Sequence, residues 1–323
     1  MTTLFADILA ESSRKSILVT ACDTYPGYMV AREILKHGKK EFKDVHVGYY
    51  KENKLVHLLK HQGAHCVHLS IDDEKSICDA YGKADIVVVV PPVNDKHWGK
   101  SEDCCVYLHA AAKAEVKGLV LCSKINADMM REMKMLAPLY AMEEALVKIK
   151  DKVKCVSLVR CSLHIDLLWL FRHQVAKEHK LCLPVDKDAK FTPLVEEDGA
   201  CALFNMLTDK KFPAGIYELT GPEKLTFADI AHRASSAVDK KIEYKHIGRK
   251  DMESYLHHQG EICDNEICFI GDLLEAVSKS MLCEQTDDLK KLLDHEPMTV
   301  KKFLEKNSKD FKPRSDDSDE ATD

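Results

Sequence analysis

The stretch KSILVTACDTYPG at residues 15–27 decides the fold, because an apolar strand runs through it into a turn and a helical pattern follows from Tyr28. Dinucleotide-binding turns carry three glycines here, which let the backbone bend tightly and approach a pyrophosphate at the helix N-terminus. Ala21 and Thr24 stand at the first two glycine positions, and Gly27 alone remains. The stretch therefore predicts a nucleotide-binding scaffold whose own affinity for a dinucleotide is weakened.

Strands and helices alternate through the first half of the chain, with strands predicted at residues 16–21, 44–50, 65–69, 84–90, 118–122 and 155–159. The run IVVVV at 86–90 is apolar throughout, which is typical of a strand buried on both faces of a parallel sheet. Helical patterns occupy segments between strands, including one long helix at 101–114. This alternation predicts an α/β protein with a doubly wound parallel Rossmann sheet.

The second half of the chain is less regular. Residues 163–178 are apolar at helical spacing, a strand is predicted at 216–219, and helices are predicted at 198–207, from Thr226, at 251–259, at 272–283 and at 299–304. We therefore expect an N-terminal extension at 1–14, a dinucleotide-binding domain at 15–160, a smaller C-terminal α/β lobe at 161–307 and a disordered acidic tail at 308–323.

Composition narrows the function classes. A net charge of -6 without a helix-sized basic block argues against direct nucleic-acid binding, and no apolar run is long enough to cross a membrane. The 13 cysteines are odd in number and lack a C-x-x-C pair, which favours reduced thiols. His61, His65 and Cys66 lack a second ligand pair at zinc spacing, so we expect no metal. Because the N-terminus lacks a signal-peptide pattern, we expect a cytoplasmic protein, and a nuclear location is the alternative.

Several stretches, in order, resemble landmarks of atypical short-chain dehydrogenases: ILVT with Gly27, LSIDDEKSI at 69–77, AAAKAEVKGLV at 110–120, TPLV at 192–195 followed by Asp198, GPEKLT at 221–226 and TVKKFL at 299–304. Together they resemble the NmrA-like family over nearly the whole chain. The resemblance implies a Rossmann domain, a smaller lobe and a cleft between them. It also implies one of two functions: an NADPH-dependent reductase, or a redox-sensing regulator that binds NAD(P) without turning it over, including repressors of nitrogen-metabolism transcription.

Short-chain dehydrogenases use Ser, Tyr and Lys, and the lysine lowers the pKa of the proton-donating tyrosine. Ser123 and Tyr140 stand where the first two are expected, but Glu144 follows Tyr140 by four residues, and a carboxylate raises a tyrosine pKa. Reductases of the family place a lysine near Met142, and none lies between Lys134 and Lys148. Because this lysine is missing, we favour Tyr140 as a half-buried aromatic residue at a helix start over a catalytic tyrosine. Lys124 is either a solvated lysine at the strand end or a substitute for the missing base.

The residues expected to contact a cofactor also depart from the family pattern. The resemblance assigns these contacts to Thr20, Thr24, Tyr25, Pro26, Gly27, Lys51, Lys54, Ser70, Pro91, Pro92 and Ser123. Ser70 replaces an acid that would meet the adenine, and Asp23 adds a carboxylate that repels a pyrophosphate. Lys51 and Lys54 follow strand two and suit a 2′-phosphate, which favours NADP over NAD, although they also fit an ordinary surface turn. Pro91 and Pro92 also simply end a strand.

His164 begins the second-lobe wall of the cleft, where it is either a proton donor or a packed residue with a satisfied hydrogen bond. From these residues we expect an NmrA-like regulator that binds NADP weakly, and NAD less readily, and that acts through contact with a protein partner. A small molecule in the interlobe cleft is also expected. The alternative is an NAD(P)H-dependent oxidoreductase of a small carbonyl or quinone.

Overall fold

The computed structural model describes residues 4–10, 14–211 and 213–312. Its strands are β1 (Lys15–Val19), β2 (Phe42–Tyr49), β3 (His65–His68), β4 (Ile86–Val89), β5 (Gly118–Lys124), β6 (Cys155–Cys161), β7 (Lys180–Leu183), β8 (Lys190–Phe191), β9 (Ile216–Leu219), β10 (Leu225–Thr226) and β11 (Glu243–His246). Its α-helices are α1 (Phe5–Ala10), α2 (Tyr25–His37), α3 (Lys54–His61), α4 (Glu74–Tyr81), α5 (Ser101–Cys104), α6 (Val106–Lys113), α7 (Ala137–Ile149), α8 (Glu196–Thr208), α9 (Phe227–Val238), α10 (Arg249–Gln259), α11 (Asp264–Ser278), α12 (Asp288–Leu292) and α13 (Val300–Lys306).

The central sheet is fully parallel and has the order β3-β2-β1-β4-β5-β6-β9. Side chains alternate across it, so that Leu18 enters the core on one face while Ile17 and Val19 enter the core on the other. Every residue of β4 is buried, as the apolar run predicts. The order reverses between β1 and β4, which confirms the predicted doubly wound Rossmann sheet.

The smaller lobe contains two short sheets, the parallel pair β7–β11 and the antiparallel pair β8–β10. Helices α9, α10, α11 and α13 share one apolar core with α6 and α7, whereas α8 and α12 pack in the core on the other face of the sheet. Helix α9 begins with a capping box in which the Thr226 hydroxyl and the Asp229 carboxylate each accept from the other's backbone N–H, so the predicted helix start is confirmed.

Three predicted helices differ in the structure. The helix at 101–114 divides at Cys105, whose N–H bonds to the i−3 carbonyl of Glu102. Residues 163–178 form a 3-10 segment at Ile165–Phe171 and a π turn at Gln174–Glu178, because the chain first bridges to Leu194. The helix at 272–283 instead starts at Asp264 behind a Cys263–Glu266 capping box and ends before Ser280, which has φ 58.

Both ends of the described chain are packed. Phe5 of α1 is fully buried against the start of β5. Residues Ser308–Phe311 form a 3-10 turn, and the Phe311 ring stacks on Trp169 at a centroid distance of 5.1 Å. The predicted disorder from Ser308 onward is therefore wrong for residues 308–312, and the acidic residues 313–323 lie outside the described residues.

Candidate functional site

The candidate site lies at the carboxyl edge of the sheet, where ligands bind in open α/β folds. It has two halves. The "crevice edge" is formed by the segments that follow β1, β2, β3 and β4 on either side of the topological switch point. The "wall edge" is formed by the segments that follow β5 and β6, together with the start of α8.

The turn between β1 and α2 is held by its own backbone. Ala21 adopts a left-handed conformation (φ 51), and its carbonyl accepts from the Thr24 hydroxyl at 2.7 Å. A Cβ on Gly27 would lie 2.2 Å from the Ala21 oxygen, so this glycine is needed for the helix to approach the strand. The remaining glycine therefore serves packing of the turn.

Asp23 is the centre of the crevice edge, and its carboxylate is directed inward. Its Oδ2 accepts from the backbone N–H of Lys51 at 2.7 Å and of Tyr50 at 3.2 Å, and from Asn94 Nδ2 at 2.5 Å. The Asn53 side chain donates to the Asp23 carbonyl at 2.7 Å. Burial raises the pKa of Asp23, although these donors oppose the rise. Asp23 thus joins the segments after β1, β2 and β4.

A second buried carboxylate, Asp95, ties β3 to the segment after β4. Its Oδ2 accepts from the Ser70 hydroxyl at 3.0 Å and from the Ile71 N–H at 2.8 Å. Thr20 donates to the Val90 carbonyl at 2.7 Å, so it also bonds across the crevice. Ser70, which replaces the acid expected to meet an adenine, is a hydrogen-bond donor within the protein.

Residues 91–99 form a loop that follows β4 at the crevice edge. Asn265 of α11 donates to the Asp95 carbonyl at 2.6 Å, and Trp98 donates to the Met135 carbonyl at 2.9 Å. Trp98 also meets Phe269 of α11 edge-on. The loop is thus fixed between the two lobes.

The predicted cofactor contacts divide by exposure. Thr20, Thr24, Gly27, Ser70 and Pro92 are buried within the protein, as is Ser123 on the wall edge; Pro26 and Pro91 are half-buried; Tyr25, Lys51 and Lys54 are exposed. The predicted contacts therefore combine residues packed inside the protein with exposed residues at the rim of the crevice edge.

The wall edge holds the predicted catalytic residues. Ser123 is 5% exposed, and its Oγ has no hydrogen-bond partner among the described residues. Tyr140 lies beside Glu144, which raises the pKa of Tyr140 as the sequence predicts. Met142 is fully buried in the core, so the expected lysine position is apolar. Lys124 donates to the Ser162 carbonyl at 3.2 Å, and burial lowers its pKa.

Arg160 takes the space between α7 and the sheet. It pairs with the buried Glu143 at 2.6 Å and with Glu218 of β9 at 3.2 Å. A buried carboxylate left without this partner would be costly, so the network is structural. Arg160 of β6 therefore pairs with α7, whereas the reductase mechanism uses a lysine on that helix.

His164 has the partner that the sequence alone could not show. Its Nδ1 lies at an ion-pair distance of 2.9 Å from Glu196 Oε2, and both that oxygen and His164 Nε2 are buried without a hydrogen-bond partner among the described residues. Asp166 accepts from the Glu196 N–H at 2.8 Å, and burial, followed by the Glu196 charge, raises the pKa of Asp166 to about 6. Burial and these two carboxylates also raise the pKa of Tyr25. Glu196 and Asp166 were missed because only tertiary structure brings them to His164.

The cysteines are unreactive thiols at ordinary pH. All 13 are free, and burial raises the pKa of most of them, including Cys22, Cys122 and Cys161. Among the residues that the structure describes, no three His, Cys, Asp or Glu side chains are grouped to hold a metal ion. No described helix combines the length and apolar character needed to span a membrane.

Two cavities lie beside β3 or beside the segments that follow β3 and β4. One, of about 350 Å³, is lined by Asp72, His97 and His109 among others. The other, of about 240 Å³, lies beside β3 and is lined by residues that include His46, His65 and Cys66. Neither cavity is lined by the predicted catalytic residues Ser123, Tyr140 and His164.

The sheet order and the turn define a protein with the NAD(P)-binding Rossmann fold. A model of the NmrA-like family matches residues 13–304, and the chain belongs to that family. Among curated proteins it is 25% identical over 105 residues to prestalk A differentiation protein A of Dictyostelium discoideum. That match spans 34% of the relative's length and 32% of this chain, so the chain is matched to about a third of that relative.

Solved structures show the same fold. A nucleoside-diphosphate-sugar epimerase from Staphylococcus aureus is 16% identical with a TM-score of 0.73, covering 90% of this chain and 99% of that one. Triphenylmethane reductase of Citrobacter sp., complexed with NADP(H), is 17% identical with a TM-score of 0.73, covering 90% and 99%. NmrA, a negative transcriptional regulator in complex with NADP, is 13% identical with a TM-score of 0.67, covering 90% and 94%. The fold is thus shared by reductases and a regulator.

Proposed function

We propose that this protein is a regulator that acts by contact with a protein partner and carries out no hydride transfer. One observation supports the proposal above all: hydrogen bonds of the Asp23 carboxylate to Lys51 and Asn94, and of the loop at 91–99 to α11, join the segments around the crevice where a dinucleotide would lie. A dinucleotide must displace these internal hydrogen bonds before it can bind. The affinity of the protein for a dinucleotide is accordingly weak, and the surface of the folded chain serves to bind a protein partner.

The wall edge supports the same proposal. Proton donation by Tyr140 would need a group that lowers its pKa, but Glu144 raises it and Met142 is buried where a lysine is required. NmrA itself is a negative transcriptional regulator, and we extend a regulatory role of that kind to this chain. The partner is a protein, the place of action is the cytoplasm or nucleus, and a small molecule in the interlobe cleft is a further ligand.

A second candidate function rests on a different observation. His164 lies 2.9 Å from a buried carboxylate, and its Nε2 is free of hydrogen bonds within the described residues. A carboxylate within ion-pair distance of an imidazole is an arrangement found in general acid–base catalysis. This dyad favours an NAD(P)H-dependent reductase of a small carbonyl or quinone, with His164 as the proton donor in place of Tyr140.

The experiment is a turnover assay of the full chain with NADPH and a panel of quinones and aldehydes. We expect NADPH oxidation no faster than in buffer, since loss of general acid catalysis removes roughly 10²- to 10⁴-fold in rate. Turnover that disappears in Tyr140→Phe would overturn the regulatory proposal. Turnover that survives Tyr140→Phe and disappears in His164→Ala, but persists in the exposed control His258→Ala, would establish the second candidate.

A further inference from the structure

The first step concerns where the Asp23 carboxylate lies. Strand β2 ends at Tyr49, and the carboxylate accepts from the next two backbone N–H groups, of Tyr50 and Lys51. In dinucleotide-binding folds an acid at this place bonds the ribose 2′-hydroxyl, and a cation there accommodates a 2′-phosphate. The nearest acid that follows β2 is Glu52, which is exposed and lies 3.8 Å from His57. Asp23 therefore supplies, from the first turn, the carboxylate that the end of β2 lacks.

The second step concerns unsatisfied acceptors. Asp23 is 5% exposed, and its Oδ1 has no hydrogen-bond partner among the described residues; the same holds for Oδ1 of Asn94, whose amide nitrogen binds Asp23. Two buried acceptor oxygens of neighbouring side chains thus lack donors, which is unfavourable and unusual. Hydroxyl groups supply donors, whereas a phosphate supplies acceptors and negative charge.

The third step concerns the charges around this position. The lysines after β2 would favour a 2′-phosphate, but the side chains of Lys51 and Lys54 are exposed, and the Lys51 N–H is already bonded to Asp23. Burial and, to a smaller extent, the nearby charge of Asp23 raise the pKa of Glu266 of α11. A phosphate beside Asp23 would thus face two carboxylates where its usual backbone donor is occupied.

We propose that Asp23 is a selectivity residue that excludes 2′-phosphorylated nucleotides and accepts nucleotides with a free ribose 2′-hydroxyl. This inference rests on the proposed function, because it concerns the affinity that remains in the closed crevice. It reverses the preference for NADP that the exposed lysines suggest. Entry of the ribose requires the loop at 91–99 to move, since that loop carries Asn94 and is held to α11 through Asn265.

The test uses two adenosine-end probes, which bypass hydride chemistry: adenosine 5′-monophosphate and adenosine 2′,5′-bisphosphate. Binding to the full chain is measured by saturation-transfer NMR with titration. We expect the monophosphate to bind at least about tenfold more tightly, and Asp23→Ser to shift the ratio at least about tenfold toward the bisphosphate. Asp23→Asn keeps the shape without the charge and should shift the ratio in the same direction, which preserves the test if the serine variant does not fold.

An exposed aspartate remote from the site, Asp188, gives the control Asp188→Ser, whose ratio should equal that of the natural chain. A preference for the bisphosphate in the natural chain would overturn the proposal. An unchanged ratio in both Asp23 variants, or no binding of either probe to any of these proteins, would overturn it as well. The two proposals can be refuted independently. NADPH turnover would refute the regulatory function, but it would not change the ratio of the affinities for the monophosphate and the bisphosphate.

Discussion

The crevice edge and the wall edge belong to one sheet but differ in how their polar side chains are used. At the crevice edge, Asp23 and Asp95 accept from backbone and side-chain donors of the segments that follow β2, β3 and β4, although Oδ1 of Asp23 has no hydrogen-bond partner among the described residues. At the wall edge, the carboxylate of Glu143 pairs with Arg160, while Ser123 Oγ and His164 Nε2 are buried without a hydrogen-bond partner in the described part of the chain. The comparison teaches that carboxylates join the segments of the crevice edge through internal hydrogen bonds, whereas the wall edge holds a hydroxyl and an imidazole as candidate reactive groups.

The largest effect is expected from the turn itself. In Gly27→Ala the new Cβ would lie 2.2 Å from the Ala21 oxygen and 2.5 Å from its carbon, both backbone atoms. We expect the free energy of unfolding to fall by about 3 kcal/mol, measured by chemical denaturation, since the backbone must shift. Gly215→Ala, with nothing within 4 Å of its added Cβ, is the control and should stay within about 0.5 kcal/mol. A tolerated Gly27→Ala would show that the turn is open.

The wall edge predicts a pH dependence. The pKa of Asp166 is raised to about 6 in the folded protein, so between about pH 4 and 6 the folded state holds a proton that the unfolded state has released. The free energy of unfolding therefore falls as pH rises through this window. Asp166→Asn should remove this loss and gain about 2 kcal/mol relative to the natural chain between pH 4.5 and 7.5. Equal pH profiles in the two proteins would mean that Asp166 is not buried against Glu196.

The smallest effect concerns the strained residue of the turn. Ala21 has φ 51, and a glycine relieves the steric cost of that conformation, so Ala21→Gly should stabilise the protein by about 1 kcal/mol in thermal unfolding. Glu115→Gly, at φ 52 before β5, is the matched control and should gain a similar amount. Destabilisation by Ala21→Gly would indicate that the Ala21 methyl group packs favourably enough to outweigh the strain.

Much of the fold could be predicted from local patterns. The run at 86–90, the glycine at 27 and the cap at Thr226 each act within a few residues, and each appears as predicted. The site depends on distant pairs. Asp23 meets Asn94 across 71 positions, and His164 reaches Glu196 only because the chain bridges to Leu194. Such pairs follow from tertiary packing, so the sequence identified Asp23 and His164 but not their partners.

The most direct test of the closed crevice is a calorimetric titration of NADPH into the full chain at moderate ionic strength. Because a dinucleotide would have to displace the hydrogen bonds of Asp23 and of the loop at 91–99, the predicted Kd is weaker than about 0.1 mM, which corresponds to less than about 6 kcal/mol of binding free energy. A Kd in the low micromolar range for the unmodified chain would contradict the account, because such affinity requires an open crevice.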